Sequence, residues 1–210
     1  PTFTPTLTPS PPHSLTPSPP PPAAQLELLY DLAEAEDWPA VVMAVKAFQF
    51  DYPNYKRRET DTLLYQAYVN LGLSLLPGPQ VEQGLAYLAE AEKLGDLPQE
   101  VADQRGWAEL YVQGIGFYRV NWAAAVFYFR DLCLAAPFFH DACGLLVESL
   151  IAYADQWAVA QEWCPAEALY REAQQYSHDN QLTEKVTTAS EGCLVATATP
   201  TPAVTPTSEQ

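Results

Sequence analysis

Basic side chains are scarce in this sequence. Ten Lys and Arg stand against 26 Asp and Glu, leaving a formal net charge of −16. Acidity this strong argues against nucleic acid and anionic membranes as partners and favours solubility and basic ligands. Histidine is rarer still, with three copies, of which His13 lies near the N-terminus while His140 and His178 fall at turns. There is no CxxC, HExxH, GxSxG, phosphate-loop or dinucleotide-type glycine pattern, so no catalytic residue, metal site or cofactor is expected. The segment HDAC (His140 to Cys143) offers metal-ligating types within one helical turn, but no second cluster completes a four-ligand set. Carboxylate groups such as Glu34/Glu36/Asp37 and Glu90/Glu92 belong to polar, Ala-rich faces, without the shielded cleft that acid–base chemistry requires. No run of about 18 uncharged apolar residues exists, so nothing here spans a bilayer as a helix. No secretory signal is visible, and a start at Pro1 rather than Met leads us to expect a processed or partial chain.

Proline, by contrast, is plentiful, and it gathers at the ends. Residues 1–22 read PTFTPTLTPSPPHSLTPSPPPP and contain no Asp, Glu, Lys or Arg, and residues 194–210 have a similar Thr/Pro character. Such segments bury too little apolar surface to offset the entropy of ordering, so extended polyproline-like tethers are expected. Ser/Thr-Pro tracts also have the composition of O-glycosylated stalks. On that reading Thr2, Thr4, Thr6, Thr8, Ser10 and Thr16 are glycan acceptors at one end, and Thr199, Thr201 and Thr205 at the other. An intact mass exceeding the bare chain in hexose-sized steps is the expected result. The bare mass sinks the idea.

The middle, residues 23–193, carries a repeat. Trp122, Ala125, Phe129 and Leu132 stand at offsets that line one face of a helix, and Trp38, Val41, Val45 and Phe48 share those offsets. So do Val81, Gly84, Leu88 and Ala91, and then Trp163, Ala166, Tyr170 and Ala173. The starts are separated by 43, 41 and 41 residues. Four matches at near-constant period mark a solenoid in which each unit covers its neighbour's apolar face. A second helical pattern precedes each of these, through Leu28, Leu29 and Leu32, through Leu64, Tyr68, Leu71 and Leu75, through Trp107, Leu110, Tyr111 and Gly114, and through Leu146, Val147 and Leu150. Turns fall at Pro53, at PGP before Gln80, at GDLP from Gly95 and at Pro137. No alternating β pattern of useful length occurs. The expected fold is all-α, a solenoid of about four helix–turn–helix repeats over residues 24–56, 57–97, 98–138 and 139–179. A capping helix follows over 180–192, with Leu182, Val186 and Ala189 turned inward. The small residues Gly84, Ala125 and Ala166 let paired helices approach closely. The rings of Trp38, Trp122 and Trp163 fill the space beside them, each buried ring contributing on the order of 3 kcal/mol.

A bulky residue, a small one three later, an aromatic or Leu four further on and Ala after three more resembles the second helix of a tetratricopeptide repeat. YVNLGLSLL, with Leu71-Gly72, is similar to that family's first helix, and Pro53 and Pro137 sit where its repeats often end. The resemblance covers about 155 residues. With Thr/Pro tethers it looks like a secreted or surface domain of that kind, and it implies a concave face, lined by the first helices, that binds peptides or protein segments. Those helices here carry Tyr65, Trp107, Tyr111, Phe117 and Tyr118, which are the expected contact residues; Tyr68 is a weaker candidate because its position is normally buried. Tyr is an effective contact residue, and a Tyr-lined groove also suits stacking on sugar rings.

The four cysteines are an even set. Cys164 opens a helix of about twelve residues, and an antiparallel return of equal length brings Cys193 beside it. Cys133 and Cys143 face each other across the turn at Pro137. Two disulfides are expected, 164–193 and 133–143, worth roughly 3.5 and 2.7 kcal/mol in the chain-entropy description. Disulfides imply an oxidising compartment. The expectation for function is a non-enzymatic extracellular or cell-surface interaction module taking a protein or peptide ligand. The alternative is a structural subunit of a glycosylated fibre or layer, assembled by end-to-end solenoid contacts.

Overall fold

Helix starts are written into the sequence at equivalent places in the repeat. Asp37 precedes Trp38 and accepts a hydrogen bond from the Ala40 backbone N–H at 3.2 Å; Asn121 precedes Trp122 and accepts one from Ala124 at 3.2 Å. A short polar side chain at that position satisfies one of the amides a helix leaves unpaired. Pro22 and Pro39 stand in the first turns of their helices, where a missing N–H costs nothing. The computed structural model describes residues 21–198. Among them are nine α-helices and no strand: α1 Pro22–Glu34, α2 Trp38–Asp51, α3 Arg57–Leu75, α4 Val81–Glu92, α5 Gln99–Phe117, α6 Trp122–Ala135, α7 Ala142–Val159, α8 Trp163–Gln174 and α9 Asn180–Ala198. The chain divides into two compact units, Pro1–Leu64 and Tyr65–Gln210, with the division falling inside α3.

In the first unit α1 packs on α2 through Leu26 and Leu29 on one side and Val41, Val45 and Phe48 on the other, all buried. Leu28, expected to face inward, is 57% exposed. Its neighbours at 26 and 29 share the inward stripe, and 28 falls outside that face. The buried Gln49 carboxamide donates to Thr60 Oγ1 at 2.9 Å and to Asp61 Oδ1 at 3.0 Å, so a polar group taken from water keeps its partners.

In the second unit each helix from α4 to α9 packs against the next in sequence, a solenoid-like order. Every residue of the repeated stripes except the three leading tryptophans is buried: Val81, Gly84, Leu88, Ala91, then Ala125, Phe129, Leu132, then Ala166, Tyr170, Ala173. Trp122 and Trp163 in this unit, and Trp38 in the first, are half-buried instead. They occupy the first position of their helices, where one ring face meets the turn and water, so each contributes less than full burial of a ring would. Close approach is set by glycine. A Cβ at Gly72 would lie 2.6 Å from Leu88 and 3.1 Å from the Gly84 carbonyl oxygen, and one at Gly114 would lie 2.5 Å from Phe129. Leu88 and Phe129 hold the same place in their stripes, so glycine on the first helix makes the hole that the second helix fills.

Pairing also skips a helix. Arg130 on α6 holds Glu172 on α8 through two bonds of 2.7 and 3.0 Å, and Tyr118, just after α5, donates to Glu148 on α7. Bidentate guanidinium–carboxylate geometry is the directional form of an ion pair. Tyr170 donates to Asp155 at 2.5 Å, and burial, helped by that bond, pushes its phenol well above the ordinary tyrosine range.

The cysteines pair as Cys133–Cys143 and Cys164–Cys193. The first closes the turn between α6 and α7, and the second fastens α8 to α9, where Leu182, Val186 and Ala189 are buried. α9 continues to Ala198, beyond the end expected at 192. Ala196, Thr197 and Ala198 extend it without a breaker, the first proline arriving only at Pro200.

Candidate interaction surface

α5 and Tyr118, the residue that follows it, carry four of the five residues expected to make contacts, and the structure separates them into two groups. At its C-terminal end Phe117 stacks on Tyr128 of α6, with ring centroids 5.7 Å apart. Tyr118 meets Trp122 and Phe129 edge-on at 5.3 and 6.1 Å. Its hydroxyl is bonded to Glu148, which holds its pKa above the usual tyrosine value. Both rings are therefore engaged in joining α5 to α6 and α7. Tyr65 stands apart on α3, its hydroxyl donating to the Asp96 carbonyl at 2.7 Å beside Gly95. The weaker candidate Tyr68 is 3% exposed and stacks on Tyr87.

Trp107 and Tyr111 form the other group, on the middle of α5, and the chain between α6 and α7 comes to meet them. Phe138 stands perpendicular to Trp107 at 5.5 Å, an edge-to-face arrangement, yet keeps 74% of its surface in water. Tyr111 stacks on His140 at 4.3 Å and meets Phe139 edge-on at 6.0 Å. The His140 Nε2–H donates to the Leu76 carbonyl at 2.6 Å, tying this turn to the end of α3. The result is a cleft of about 450 Å³ between α5 and the turn, lined also by Leu76, Pro77 and Gln104.

The turn is held in an unusual shape. His140 and Asp141 both have positive φ, 46° and 54°, a left-handed conformation that costs about 1 kcal/mol or more for each non-glycine residue. The Cys133–Cys143 disulfide spans it from both sides, and the His140 bond and aromatic contacts fill it. Strain of this kind persists only where the surroundings determine it, and here they aim Phe138 outward over Trp107.

Phe138, Phe139, Gln104 and His140 were not among the expected contact residues. The signal available was the pair of phenylalanines directly after Pro137, two large apolar residues in a turn rather than on a stripe. His140 and Cys143, the metal-ligating types of HDAC, are occupied by the Leu76 carbonyl and the disulfide. No group of three or more His, Cys, Asp or Glu among the described residues is placed to hold a metal, and no described helix is long and apolar enough to cross a membrane. The expected glycan acceptors at Thr2 to Thr16 and Thr199 to Thr205 lie outside the described residues. Compared with protein families, curated proteins and solved structures, the chain matches none.

Proposed function

We propose that this chain is a non-enzymatic, tetratricopeptide-like interaction module that works outside the cell or on its surface. Its ligand is an extended peptide or protein segment bound at the aromatic cleft of α5 and the following turn. The observation that carries the reading is Phe138, a large ring held over Trp107 with three-quarters of its surface left to solvent. An apolar ring rigidly placed beside a second aromatic costs little entropy to bury against a ligand, which is what makes such residues dominate binding. Two disulfides support the oxidising compartment. Selection from a displayed random-peptide library against the full chain tests it. Enriched peptides should bind at least about tenfold more weakly to Phe138→Ala, the size expected for an aromatic contact residue. A library that yields nothing, or peptides indifferent to Phe138, removes the reading.

A further inference from the structure

Trp107 is a wall common to two hollows. One is the aromatic cleft beside Phe138, which no Asp, Glu, Lys or Arg lines. The other, of about 720 Å³, is formed on α5 itself, with Gly106 and Leu110 beside Trp107 and with Asp103 and Glu109 in its lining. The fold gives Gly106 no neighbour to accommodate. Glycine weakens a helix interior relative to alanine, yet nothing stands within 4 Å of the Gly106 Cβ position, whereas that of Gly114 is filled by Phe129. Next to a half-buried indole, the missing side chain leaves room for the main chain of a guest to come close to the helix.

Negative charge is in excess around that gap. Glu109 is held by Arg105 at 2.9 Å, but Arg105 also serves Glu92 on α4, so one cation is divided between two carboxylates. Asp103 accepts from a neutral donor, the Gln99 carboxamide at 2.7 Å, and forms no ion pair with a described Lys or Arg. An uncompensated carboxylate in a chain of net charge −16 attracts cationic guests and repels anionic ones. One turn of α5, about 6 Å, separates Trp107 from Asp103, a distance that an extended segment covers in about two residues. We propose that the ligand is a basic segment. An apolar side chain enters the Trp107–Phe138 cleft, the main chain crosses α5 at Gly106, and a Lys or Arg about two or three residues from that anchor pairs with Asp103. This rests on the reading of the cleft as a peptide-binding site and adds the chemistry of its guest.

The test sequences the peptides that a displayed random library yields against the full chain. Those that depend on Phe138 should carry Lys or Arg about two or three residues from an aromatic or aliphatic residue. Asp103→Lys should weaken a selected peptide about tenfold, and exchanging that peptide's Lys or Arg for Glu should restore binding to this variant. Asp103→Asn, with a loss of about threefold, is the second variant should the first fail to fold. Glu191→Lys, the same charge change at an exposed position on α9, should alter affinity less than about twofold. Gly106→Leu should weaken binding about tenfold while leaving the chain at least as resistant to urea, because leucine is the better helix former. Phe138-dependent peptides without a basic residue, or equal losses from Asp103→Lys and Glu191→Lys, overturn the basic-segment assignment while the peptide-binding reading stands. Full affinity in Gly106→Leu overturns the crossing at Gly106. If no peptide depends on Phe138, both readings fall.

Discussion

Gly114 shows how much a missing methyl group decides. It sits in the interior of α5, where glycine costs about 1 kcal/mol relative to alanine, yet its Cβ position is already filled by the fully buried Phe129 ring. Gly114→Ala is therefore expected to lower the unfolding free energy by about 1–3 kcal/mol, since an added methyl in a packed interior forces rings off their rotamers. Gly116→Ala is the control. Nothing stands within 4 Å of its Cβ position, so the same change there is expected to raise stability by up to about 1 kcal/mol. Urea unfolding of both variants measures the difference. Equal effects at the two positions would mean that α5 and α6 are not in the contact described.

The two disulfides look alike in the sequence but fasten different things. Cys164–Cys193 joins α8 to α9 and closes the terminal hairpin of the second unit; Cys133–Cys143 brackets the left-handed turn that presents Phe138. Serine replacement of both cysteines of a pair is expected to cost about 3.5 kcal/mol for 164–193 and about 2.7 kcal/mol for 133–143. Binding should separate them in the opposite sense. Without Cys133–Cys143 the turn loses the restraint that holds His140 and Asp141 at positive φ, so peptide affinity should fall. Loss of Cys164–Cys193 should leave affinity unchanged at temperatures where the protein stays folded. A titration with one selected peptide across both variants measures this. Identical affinities would show that the turn keeps its shape unaided.

For the molecule as a whole, the open question is whether copies associate. Exposed apolar side chains recur on the second helices of alternate repeats, with Met43 and Phe50 on α2 matched 84 residues later by Phe127 and Leu134 on α6. Apolar side chains left in water on such helices, together with open solenoid ends, are what filament assembly uses. Opposing it, α9 covers one end of the stack, and a net charge of −16 makes copies repel at low salt. The expected outcome is a monodisperse monomer by light scattering at tens of micromolar, insensitive to salt. Filaments in negative stain, abolished by Phe127→Glu, would instead favour the fibre-forming alternative.

Helix order, stripe composition and the cysteine pairing were legible from spacing alone, because they follow from local rules. A 3.6-residue period selects an inward face, Asp37 and Asn121 mark starts, and hairpins of equal arm length bring Cys164 to Cys193. The period of about 41 residues even places Leu88, Phe129 and Tyr170 at one buried position. What spacing leaves undecided is how faces of adjoining elements meet. Leu28 rather than Leu26 reads as inward until α1 is set against α2. The leading tryptophans read as buried until the helix start is seen to lie at the edge. The cleft draws on Leu76, Gln104, Trp107 and Phe138, which come from three separate places in the chain. Only packing of α5 against the strained turn after α6 makes them one surface, since contacts between distant residues depend on helix crossing and turn conformation that no local pattern encodes.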